Sequence, residues 1–319
     1  MKLSSLGLGC AQLGNLYHVM DDETAVATVA RAWDEDIRYF DTAPHYGLGL
    51  SERRLGAALA AYPRDEYVVS TKVGRILDPD PEGAVRTDDA GFVVPAAYRR
   101  RWDFSRDGVL RSLEDSLTRL GLDRVDLAYV HDPDEHFDDA VSGAFPALLA
   151  LREQGVLGAV GVGMNQAAMP AEFVRRFDLD VVLVAGRYTL LDQAAQDELL
   201  PLCAGRGVAV VVGGAFNGGI LATAEPGRMY DYAEAPGSLV ERAERIAAIC
   251  ARHGVELPSA ALALPAAHPA VASVVVGAHD PGQVSANARR ARADVPPLLW
   301  AELIDAGLLR PDVVTGRLP

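Results

Sequence analysis

Eight short apolar runs divide the chain, and longer stretches with helical periodicity lie between them. The runs begin near residues 6, 37, 67, 125, 157, 179, 207 and 271. Each run is almost continuously apolar, which is typical of strands that are buried on both faces of a parallel sheet. Segments such as "DDETAVATVARAWDED" and "SRDGVLRSLEDSLTRLGL" between them repeat their apolar residues at helical spacing. Eight strand–helix pairs predict the α/β class and, within it, a (β/α)8 TIM barrel.

An open, doubly wound sheet is the alternative arrangement of alternating strands and helices. The stretch "CAQLGN" after the first run lacks the G-x-G-x-x-G fingerprint expected there, so we favour the barrel. No linker or change of composition interrupts the chain. We therefore predict a single domain over residues 1–319, with a helical tail at its C-terminal end.

One connection, residues 73–104, is far longer than the others and follows the third predicted strand. Connections longer than about 12–15 residues are usually functional loops or disordered segments. This one contains aromatic residues that could pack, and it leaves the strand end where barrels place their sites. We predict a lid over the substrate, with Trp102 and Phe104 as substrate-binding residues.

The composition excludes several classes of protein. Lys and Arg total 30 against 44 Asp and Glu, a formal net charge of −14, which argues against nucleic-acid and anionic-membrane partners. No apolar run approaches the ~18 residues of a membrane span, and we recognise no signal peptide. The cysteines lack metal-ligand spacing and fit a reducing compartment. We expect a cytoplasmic protein without a metal, and the oligomeric state stays open.

Polar residues stand where three consecutive predicted strands end. Asp41 ends the second, Lys72 the third and His131 the fourth, and Tyr46 follows Asp41 in the next loop. The carboxyl ends of barrel strands meet at one mouth, so these four side chains are expected to converge. Any one of them alone is more often structural or solvated, and it is their shared position that indicates a catalytic site.

These four groups suit proton transfer beside a carbonyl or an alcohol. A free phenol has a pKa near ~10, too high for efficient proton transfer at neutral pH. We expect the Lys72 ammonium to lower the pKa of Tyr46, Asp41 to hold Lys72, and His131 to orient the reacting oxygen. A hydride carrier would complete the chemistry.

The stretches "GLGCAQLGN", "YFDTAPHYGLGLSERRLG", "STKVG", "SLEDSLTRLGLDRVDLAYVHDPD" and "GVGMN" resemble the aldo-keto reductase superfamily, in order and over nearly the whole chain. The resemblance implies a (β/α)8 barrel and a nicotinamide dinucleotide. It assigns Tyr46 as the general acid/base, with Lys72, Asp41 and His131 as its partners.

The resemblance also implies the cofactor contacts. Asn165 matches the residue that holds the carboxamide and Tyr188 the aromatic that stacks on the nicotinamide. Two family residues are replaced, a Ser by Met164 and a Gln by Ala185, so Arg187 or backbone groups are candidate substitutes. The remaining cofactor-binding predictions are Gly213, Gly214, Phe216, Asn217, Gly219, Gly277, His279, Asp280, Gln283 and Asn287.

The preferred dinucleotide is predicted from the end of the last strand. NADP-preferring relatives often have Lys or Arg there, and this chain has His279 and Asp280. A carboxylate would repel a 2′-phosphate and could accept from a ribose hydroxyl. We therefore favour NAD over NADP, although Arg289 and Arg290 lie further along the helix.

Within the superfamily, "AGRYTLLDQ" and "GGAFNGGIL" resemble the branch of L-fucose, D-threo-aldose and L-galactose dehydrogenases and pyridoxal 4-dehydrogenase. This implies NAD(P)-dependent oxidation of an L-fucose-like or L-galactose-like pyranose at C1 to the lactone. Pyridoxal oxidation and general aldehyde or ketone reduction are alternatives of the same class. A non-catalytic, dinucleotide-binding redox sensor is the alternative of another class.

Overall fold

The computed structural model describes residues 2–231 and 233–314. The strands in this part of the chain are β1 Leu6–Gly9, β2 Tyr39–Asp41, β3 Val68–Val73, β4 Arg75–Pro79, β5 Tyr98–Trp102, β6 Leu127–His131, β7 Ala159–Met164, β8 Val181–Ala185, β9 Ala209–Gly213, β10 Met229–Tyr230, β11 Ala233–Glu234 and β12 Val271–Gly277. Eight of them pair in parallel and close in the order β1-β2-β3-β6-β7-β8-β9-β12. The predicted (β/α)8 barrel is confirmed, and each of the eight apolar runs supplies one strand.

The α-helices of the described residues are α1 Asp22–Asp34, α2 Leu50–Leu59, α3 Arg106–Leu120, α4 Phe137–Asp139, α5 Phe145–Glu153, α6 Ala168–Arg176, α7 Leu199–Arg206, α8 Gly237–Arg252, α9 Leu257–Ala266, α10 Pro281–Ala291 and α11 Pro297–Asp305. A π-helical turn, Ala140–Ala144, joins α4 to α5. Helix α9 packs on β12, and α11 packs on α8 outside the ring. Helix α11 confirms the predicted C-terminal helical tail; the single domain over residues 1–319 stays a prediction.

The helix ends follow sequence signals. Asp21 accepts a hydrogen bond from the Thr24 amide (2.7 Å) and caps α1. Ser105 caps α3 in the same way through the Gly108 amide (3.1 Å), and α3 ends at Gly121, whose φ of 64° suits glycine. These caps set where each helix leaves the barrel, and hence where the preceding loops lie over the mouth.

Two apolar layers hold the barrel together. The outer layer lies between the strands and the helices, and the inner one fills the barrel with side chains such as Leu127, Val181 and Val211. Two buried tyrosines of the inner layer, Tyr39 and Tyr129, share a hydrogen bond of 3.0 Å between their hydroxyls. The barrel interior is therefore a packed core and gives the mouth a rigid floor.

The long connection after β3 is an ordered excursion. Strands β4 and β5 pair antiparallel as a hairpin, and Leu16 and Thr87 form isolated bridges with Phe92 and Pro95. The connection lies at the barrel mouth, as predicted, because Arg75, Ala90 and Phe92 line the cavity there. Sequence analysis missed the hairpin because the "YRRRW" of β5 shows no apolar alternation.

Among the described residues, no helix is both long enough and apolar enough to cross a membrane.

Candidate active site

A cavity of about 1040 Å³ opens at the carboxyl ends of the barrel strands. Residues at or after the ends of all eight barrel strands line it. The long connection lies on one side and the loop after β9 on the other. Typical small-molecule pockets measure about 300–1,000 Å³. The cavity therefore has the size expected for a large ligand, or for a cofactor and a small substrate together.

The predicted catalytic residues meet on the floor of this cavity. Lys72 Nζ lies 2.6 Å from Asp41 Oδ2 and 3.2 Å from the Tyr46 hydroxyl. The Tyr46 and His131 rings lie edge to face with centroids 6.2 Å apart. The convergence inferred from the strand ends is thus observed in the structure.

Lys72 and Asp41 form a buried ion pair, with side chains 2% and 4% exposed. Lys72 also donates to the Thr42 carbonyl (2.9 Å), and Asp41 accepts from the Ser70 hydroxyl (2.7 Å). Burial alone would lower the pKa of Lys72, but Asp41 and then Tyr46 outweigh it and the pKa is raised. Lys72 therefore stays an ammonium and places a positive charge beside the Tyr46 oxygen.

The expectation that the pKa of Tyr46 would be lowered is wrong for the structure. Burial raises the pKa of Tyr46, and Lys72, which lowers it, only partly compensates while Asp41 raises it again. Sequence reasoning identified the ammonium correctly but could not weigh the burial of the phenol against it. Burial therefore outweighs the nearby ammonium and keeps the pKa of Tyr46 above its ordinary value.

His131 is held neutral. The pKa of His131 lies well below its ordinary value because of burial, and then because of the positive charges of Arg75 and Lys72 and the neighbouring His45. Arg75 Nη1 lies 2.9 Å from His131 Nδ1. A neutral imidazole can donate one hydrogen bond to an oxygen in the cavity without competing with Tyr46 as an acid.

The start of α2 explains the "SERR" that follows the Tyr46 loop. Ser51 donates to the Cys10 carbonyl (2.6 Å) and contacts the Thr42 hydroxyl (2.8 Å). The next residue, Glu52, is fully buried and accepts from Thr71 (2.7 Å) and Arg119 (2.6 Å). These bonds join α2 to neighbouring strands and to α3, so the loop that carries Tyr46 is held at both ends.

Most of the predicted cofactor-binding residues line the other half of the cavity. The predicted residues that line it are Asn165, Gly213, Gly214, Phe216, Asn217, Gly219, Gly277, His279, Asp280, Gln283 and Asn287. Gly214 and Gly219 have φ of 61° and 111°, and an added Cβ at Gly219 would meet no atom within 4 Å. The loop after β9 therefore offers bare backbone to a ligand.

Unsatisfied polar atoms also point to an absent ligand. Gln12 Oε1, His45 Nδ1 and Asn217 Oδ1 are buried, line the cavity and have no hydrogen-bond partner within residues 2–231 and 233–314. Buried polar atoms are normally paired. The open glycine backbone and these atoms fit a polar ligand such as a dinucleotide.

Tyr188 lies elsewhere. It is fully buried, its hydroxyl donates to the Val313 carbonyl (2.9 Å), and its ring contacts His268. It does not line the cavity, so the expected stacking on a nicotinamide is not available to it. The β8 end turns Tyr188 toward the C-terminal segment, a long-range contact that the sequence does not reveal.

Trp102 and Phe104 also differ from expectation, because neither lines the cavity. Phe104 is 2% exposed and packs against Gly74, where an added Cβ would lie 2.2 Å from the ring. Trp102 stacks on the Arg75 guanidinium at 4.4 Å. Phe104 packs in the core while Trp102 is 42% exposed, and the residues of the connection that line the cavity are Arg75, Ala90 and Phe92.

Asp280 has a structural role at α10 in addition to the predicted one. Its Oδ1 accepts from the Gln283 amide (2.8 Å) and caps the helix. Arg290 also lines the cavity and pairs with Glu256 at 3.2 Å.

Arg187 was a candidate substitute for the missing amide contact. It instead donates to the Asn165 carbonyl (2.7 Å) and pairs with Asp231 (2.7 Å).

Other polar residues that line the cavity were not assigned a role from the sequence, and they include Gln12, His45, Arg75 and Asp132. A signal existed for three of them. His45 precedes Tyr46, Asp132 follows His131, and Arg75 comes three residues after Lys72, so all three stand at the same strand ends. The parallel pairing of β3 with β6 then places Arg75 beside His131 and Asp132. Among the described residues, no group of three or more His, Cys, Asp or Glu could hold a metal ion.

Comparisons with known proteins place this site in context. A family model described as the aldo/keto reductase family matches residues 5–297. The chain is 49% identical over 315 residues to D-threo-aldose 1-dehydrogenase from a Pseudomonas species, covering 97% of this chain and 95% of the relative. It is 38% identical to pyridoxal 4-dehydrogenase from Microbacterium luteolum, covering 97% and 95%.

Two other matches extend the same pattern. L-galactose dehydrogenase from Arabidopsis thaliana is 31% identical, covering 90% of this chain and 84% of the relative. The structure of an aldo-keto reductase from Bacillus halodurans in its holo form superposes with a TM-score of 0.76 and 25% identity, covering 95% and 92%. By sequence, by structure and by its site, this chain belongs to the aldo/keto reductase family and is an oxidoreductase that acts on CH–OH groups.

Proposed function

We propose that this protein oxidises an aldose of the L-fucose or L-galactose type at C1, with NAD+ as the favoured acceptor, and releases the lactone. The observation that supports it most is the 49% identity to an aldose 1-dehydrogenase over nearly the whole of both chains. The joined Tyr46, Lys72 and Asp41 side chains supply the proton-transfer chemistry that such a reaction needs.

Enzymes of this family use a nicotinamide dinucleotide, and the glycine backbone and unsatisfied polar atoms of the cavity fit one. Gly214, Gly219, Asn217 and Gln12 would hold the dinucleotide, with Asn287 near its adenosine end. When bound, it supplies the hydride acceptor.

The chain's own residues handle the proton. In the oxidising direction Tyr46 takes the proton of the anomeric hydroxyl, and the Lys72 ammonium stabilises the phenolate. His131, neutral and buried, donates a hydrogen bond to the sugar oxygen and orients it. Phe92, His45 and the long connection exclude water from this end of the cavity.

The cysteines support a proposal for the cellular location. The three cysteines, Cys10, Cys203 and Cys250, are free and buried, as suits the reducing cytoplasm. We propose a cytoplasmic enzyme whose partner, besides the cofactor, is a small-molecule sugar substrate.

A panel of aldoses and pyridoxal, each with NAD+ and NADP+, tests the substrate through the absorbance of the reduced nicotinamide. We expect turnover of L-fucose or L-galactose and little of pyridoxal. Pyridoxal turnover without sugar turnover would instead favour the second relative's reaction.

Tyr46→Phe tests whether the site is catalytic. Loss of a general acid/base typically costs about 10²–10⁴-fold, so we expect a loss of kcat in that range with dinucleotide binding retained. Tyr62→Phe is the matched control, because Tyr62 stacks on Trp33 far from the cavity. Bound dinucleotide with no turnover of any substrate by the wild type would favour the redox-sensing barrel.

A further inference from the structure

Asp132 lines the cavity beside the catalytic residues and has no part in the proton transfer described above. It directly follows β6 at the barrel mouth, and its Oδ2 lies 3.4 Å from His131 Nε2. The backbone of Asp132 has φ of 43°, in the left-handed region that residues other than glycine seldom adopt. Unfavourable backbone of this kind concentrates at active sites and ligand contacts, which points to a functional role for this carboxylate.

Arg75 fixes one oxygen of the Asp132 carboxylate and leaves the other available. Arg75 Nη2 donates to Asp132 Oδ2 at 2.7 Å, and the guanidinium rests on the Trp102 ring at 4.4 Å. The Arg75 and Asp132 side chains are 12% and 17% exposed. Asp132 Oδ1 has no hydrogen-bond partner within residues 2–231 and 233–314, yet the protein does not enclose it. The carboxylate therefore offers the cavity an oriented acceptor that no protein group uses.

The other carboxylates of the cavity do not offer the same acceptor. Both oxygens of Asp41 already accept hydrogen bonds within the site. Asp231 and Asp280 lie in the other half of the cavity, beside the loop after β9 and at the start of α10. Among the described residues that line the cavity, Asp132 is the one carboxylate that can accept from a substrate beside the catalytic residues.

The substrate group that this acceptor meets follows from the proposed reaction at C1. Burial is the largest cause of the raised pKa of Tyr46, and the charge of Asp132 also raises it, so the two groups lie near each other. With the C1 hydroxyl at Tyr46, the C2 hydroxyl is the first hydroxyl beyond the reacting carbon. A hydroxyl that donates to a carboxylate forms a stronger hydrogen bond than one that donates to a neutral group.

We propose that Asp132 is a specificity-determining residue, whose Oδ1 accepts a hydrogen bond from the C2 hydroxyl of the sugar while Arg75 holds Oδ2 in place. The proposal rests on the proposed function and adds to it a requirement for a C2 hydroxyl in one configuration. A 2-deoxy sugar leaves the carboxylate without its donor, and a C2 epimer directs the hydroxyl elsewhere. Sites built to bond a substrate hydroxyl discriminate strongly against the analogue that lacks it.

Asp126 provides a matched control at the opposite end of the same strand. It precedes β6, and its Oδ2 accepts from Arg64 at 2.8 Å. The Asp126 and Arg64 side chains are 19% and 16% exposed, close to the values for Asp132 and Arg75. Asp126 does not line the cavity. Its substitution removes a carboxylate from a comparable ion pair without touching the proposed sugar site.

The first experiment measures kcat/KM for L-galactose and for 2-deoxy-L-galactose at saturating NAD+; L-fucose and its 2-deoxy form serve equally. We expect the wild type to favour the 2-hydroxy sugar by about 10- to 100-fold, the range of a hydrogen bond to a charged group. Asp132→Ala should bring this ratio close to one, through loss of activity on the 2-hydroxy sugar. Asp132→Asn should give an intermediate ratio, because a neutral amide bonds a hydroxyl more weakly, and it decides the question if the alanine variant does not fold. Asp126→Ala and Asp126→Asn should keep the wild-type ratio.

The configuration is tested with epimers of L-galactose. L-talose differs at C2, and the wild type should discriminate against it as it does against the 2-deoxy sugar. L-glucose differs at C4, and its kcat/KM should fall in the Asp132 variants by the same factor as that of L-galactose. Equal losses for L-talose and L-galactose in the Asp132 variants would mean that Asp132 does not bond the C2 hydroxyl.

The second experiment separates the sugar from the cofactor, by fluorescence titration of each variant with NAD+ in the absence of sugar. The Kd for NAD+ should stay near the wild-type value in the Asp132 variants. A weaker NAD+ affinity with an unchanged sugar ratio would place the carboxylate at the nicotinamide and overturn the proposal. Equal turnover of the 2-hydroxy and 2-deoxy sugars by the wild type would also overturn it, while the proposed function would stand. Turnover of no aldose by the wild type would overturn the proposed function and this proposal together.

Discussion

At the scale of single residues, buried histidines make the stability of this protein depend on pH. Burial, followed by Arg75, Arg100 and Lys72, lowers the pKa of His45 to about 2, against ~6.5 for an unfolded chain. As the pH falls below ~6.5, His45 becomes protonated in the unfolded chain but stays neutral in the folded protein. The free energy of unfolding therefore falls with pH below that point.

His45→Gln tests this linkage, because Gln does not titrate. Each such histidine should cost about 1.4 kcal/mol per pH unit below ~6.5, or about 2 kcal/mol between pH 6.5 and pH 5. We expect the variant to lose less stability than the wild type over this interval, as measured by urea unfolding at the two pH values. Identical slopes would show that His45 is protonated in the folded protein.

At the scale of elements, the Tyr46 loop depends on one close contact between two backbones. Gly47 has φ of 61°, and an added Cβ would lie 2.2 Å from the Gly14 carbonyl oxygen. Gly47→Ala must push the loop after β2 away from the loop after β1. We expect a loss of stability of about 1–3 kcal/mol and a clear fall in kcat, since Tyr46 moves with its neighbour.

Gly121→Ala separates the clash from the backbone strain. Gly121 has a similar φ of 64°, but an added Cβ would meet nothing within 4 Å. We expect this control to lose stability, by about 1 kcal/mol, and to keep its kcat. Equal effects of the two variants on kcat would mean that the contact between Gly14 and Gly47 does not position Tyr46.

The long connection after β3 is the second element with a testable role. Phe92 is 3% exposed, its backbone bridges to Leu16, and its ring packs near those of His45 and Tyr46, with centroids 5.3 and 6.0 Å away. Phe92→Ala should open the substrate end of the cavity and raise KM for the sugar by about tenfold or more, the scale of a lost hydrophobic contact. Dinucleotide affinity, measured by fluorescence titration, should change little.

Val85→Ala is the control for the same connection, because Val85 is 91% exposed. It should leave both constants near the wild-type values. If Phe92→Ala weakened dinucleotide binding as much as sugar binding, the connection would be a general support and not a substrate lid.

At the scale of the whole molecule, the end of the cavity proposed for the dinucleotide joins the first strand, the last strand and α10. Asp280 stands at the N-terminus of α10, where its carboxylate would repel the additional phosphate of NADP. Arg290, which lines the cavity, is already paired with Glu256. We expect NAD+ to raise Tm more than NADP+ at equal concentration, because a ligand that binds only the folded state stabilises it by RT ln(1 + [L]/Kd).

Asp280→Ser is the variant that isolates the charge. Serine also caps helices, so the α10 start is kept while the carboxylate is removed. The difference between the Tm shifts caused by NAD+ and NADP+ should become smaller. The ratio of kcat/KM with NAD+ to kcat/KM with NADP+ should decrease in the same way. A wild-type preference for NADP+ of tenfold or more would show that Arg290 releases Glu256 and outweighs Asp280.

Much of this architecture was predictable from the sequence alone. The eight apolar runs set the strands, since strands buried on both faces must be apolar throughout, and parallel strands must then carry Asp41, Lys72 and His131 to one mouth. Helix ends were equally local, because a capping side chain such as Asp21 lies within three residues of the amide that it binds.

Tertiary structure alone decided the rest, because it depends on partners distant in sequence. The direction of the Tyr46 pKa shift depends on how deeply packing buries the phenol, a quantity that no local pattern records. Tyr188 turns away from the cavity to meet the carbonyl of Val313, and Trp102 turns away to cover Arg75. Arg75 lies beside His131 and Asp132 because β3 and β6 pair in parallel, and a pairing between strands so far apart in sequence is set by the closed barrel and not by the neighbours along the chain.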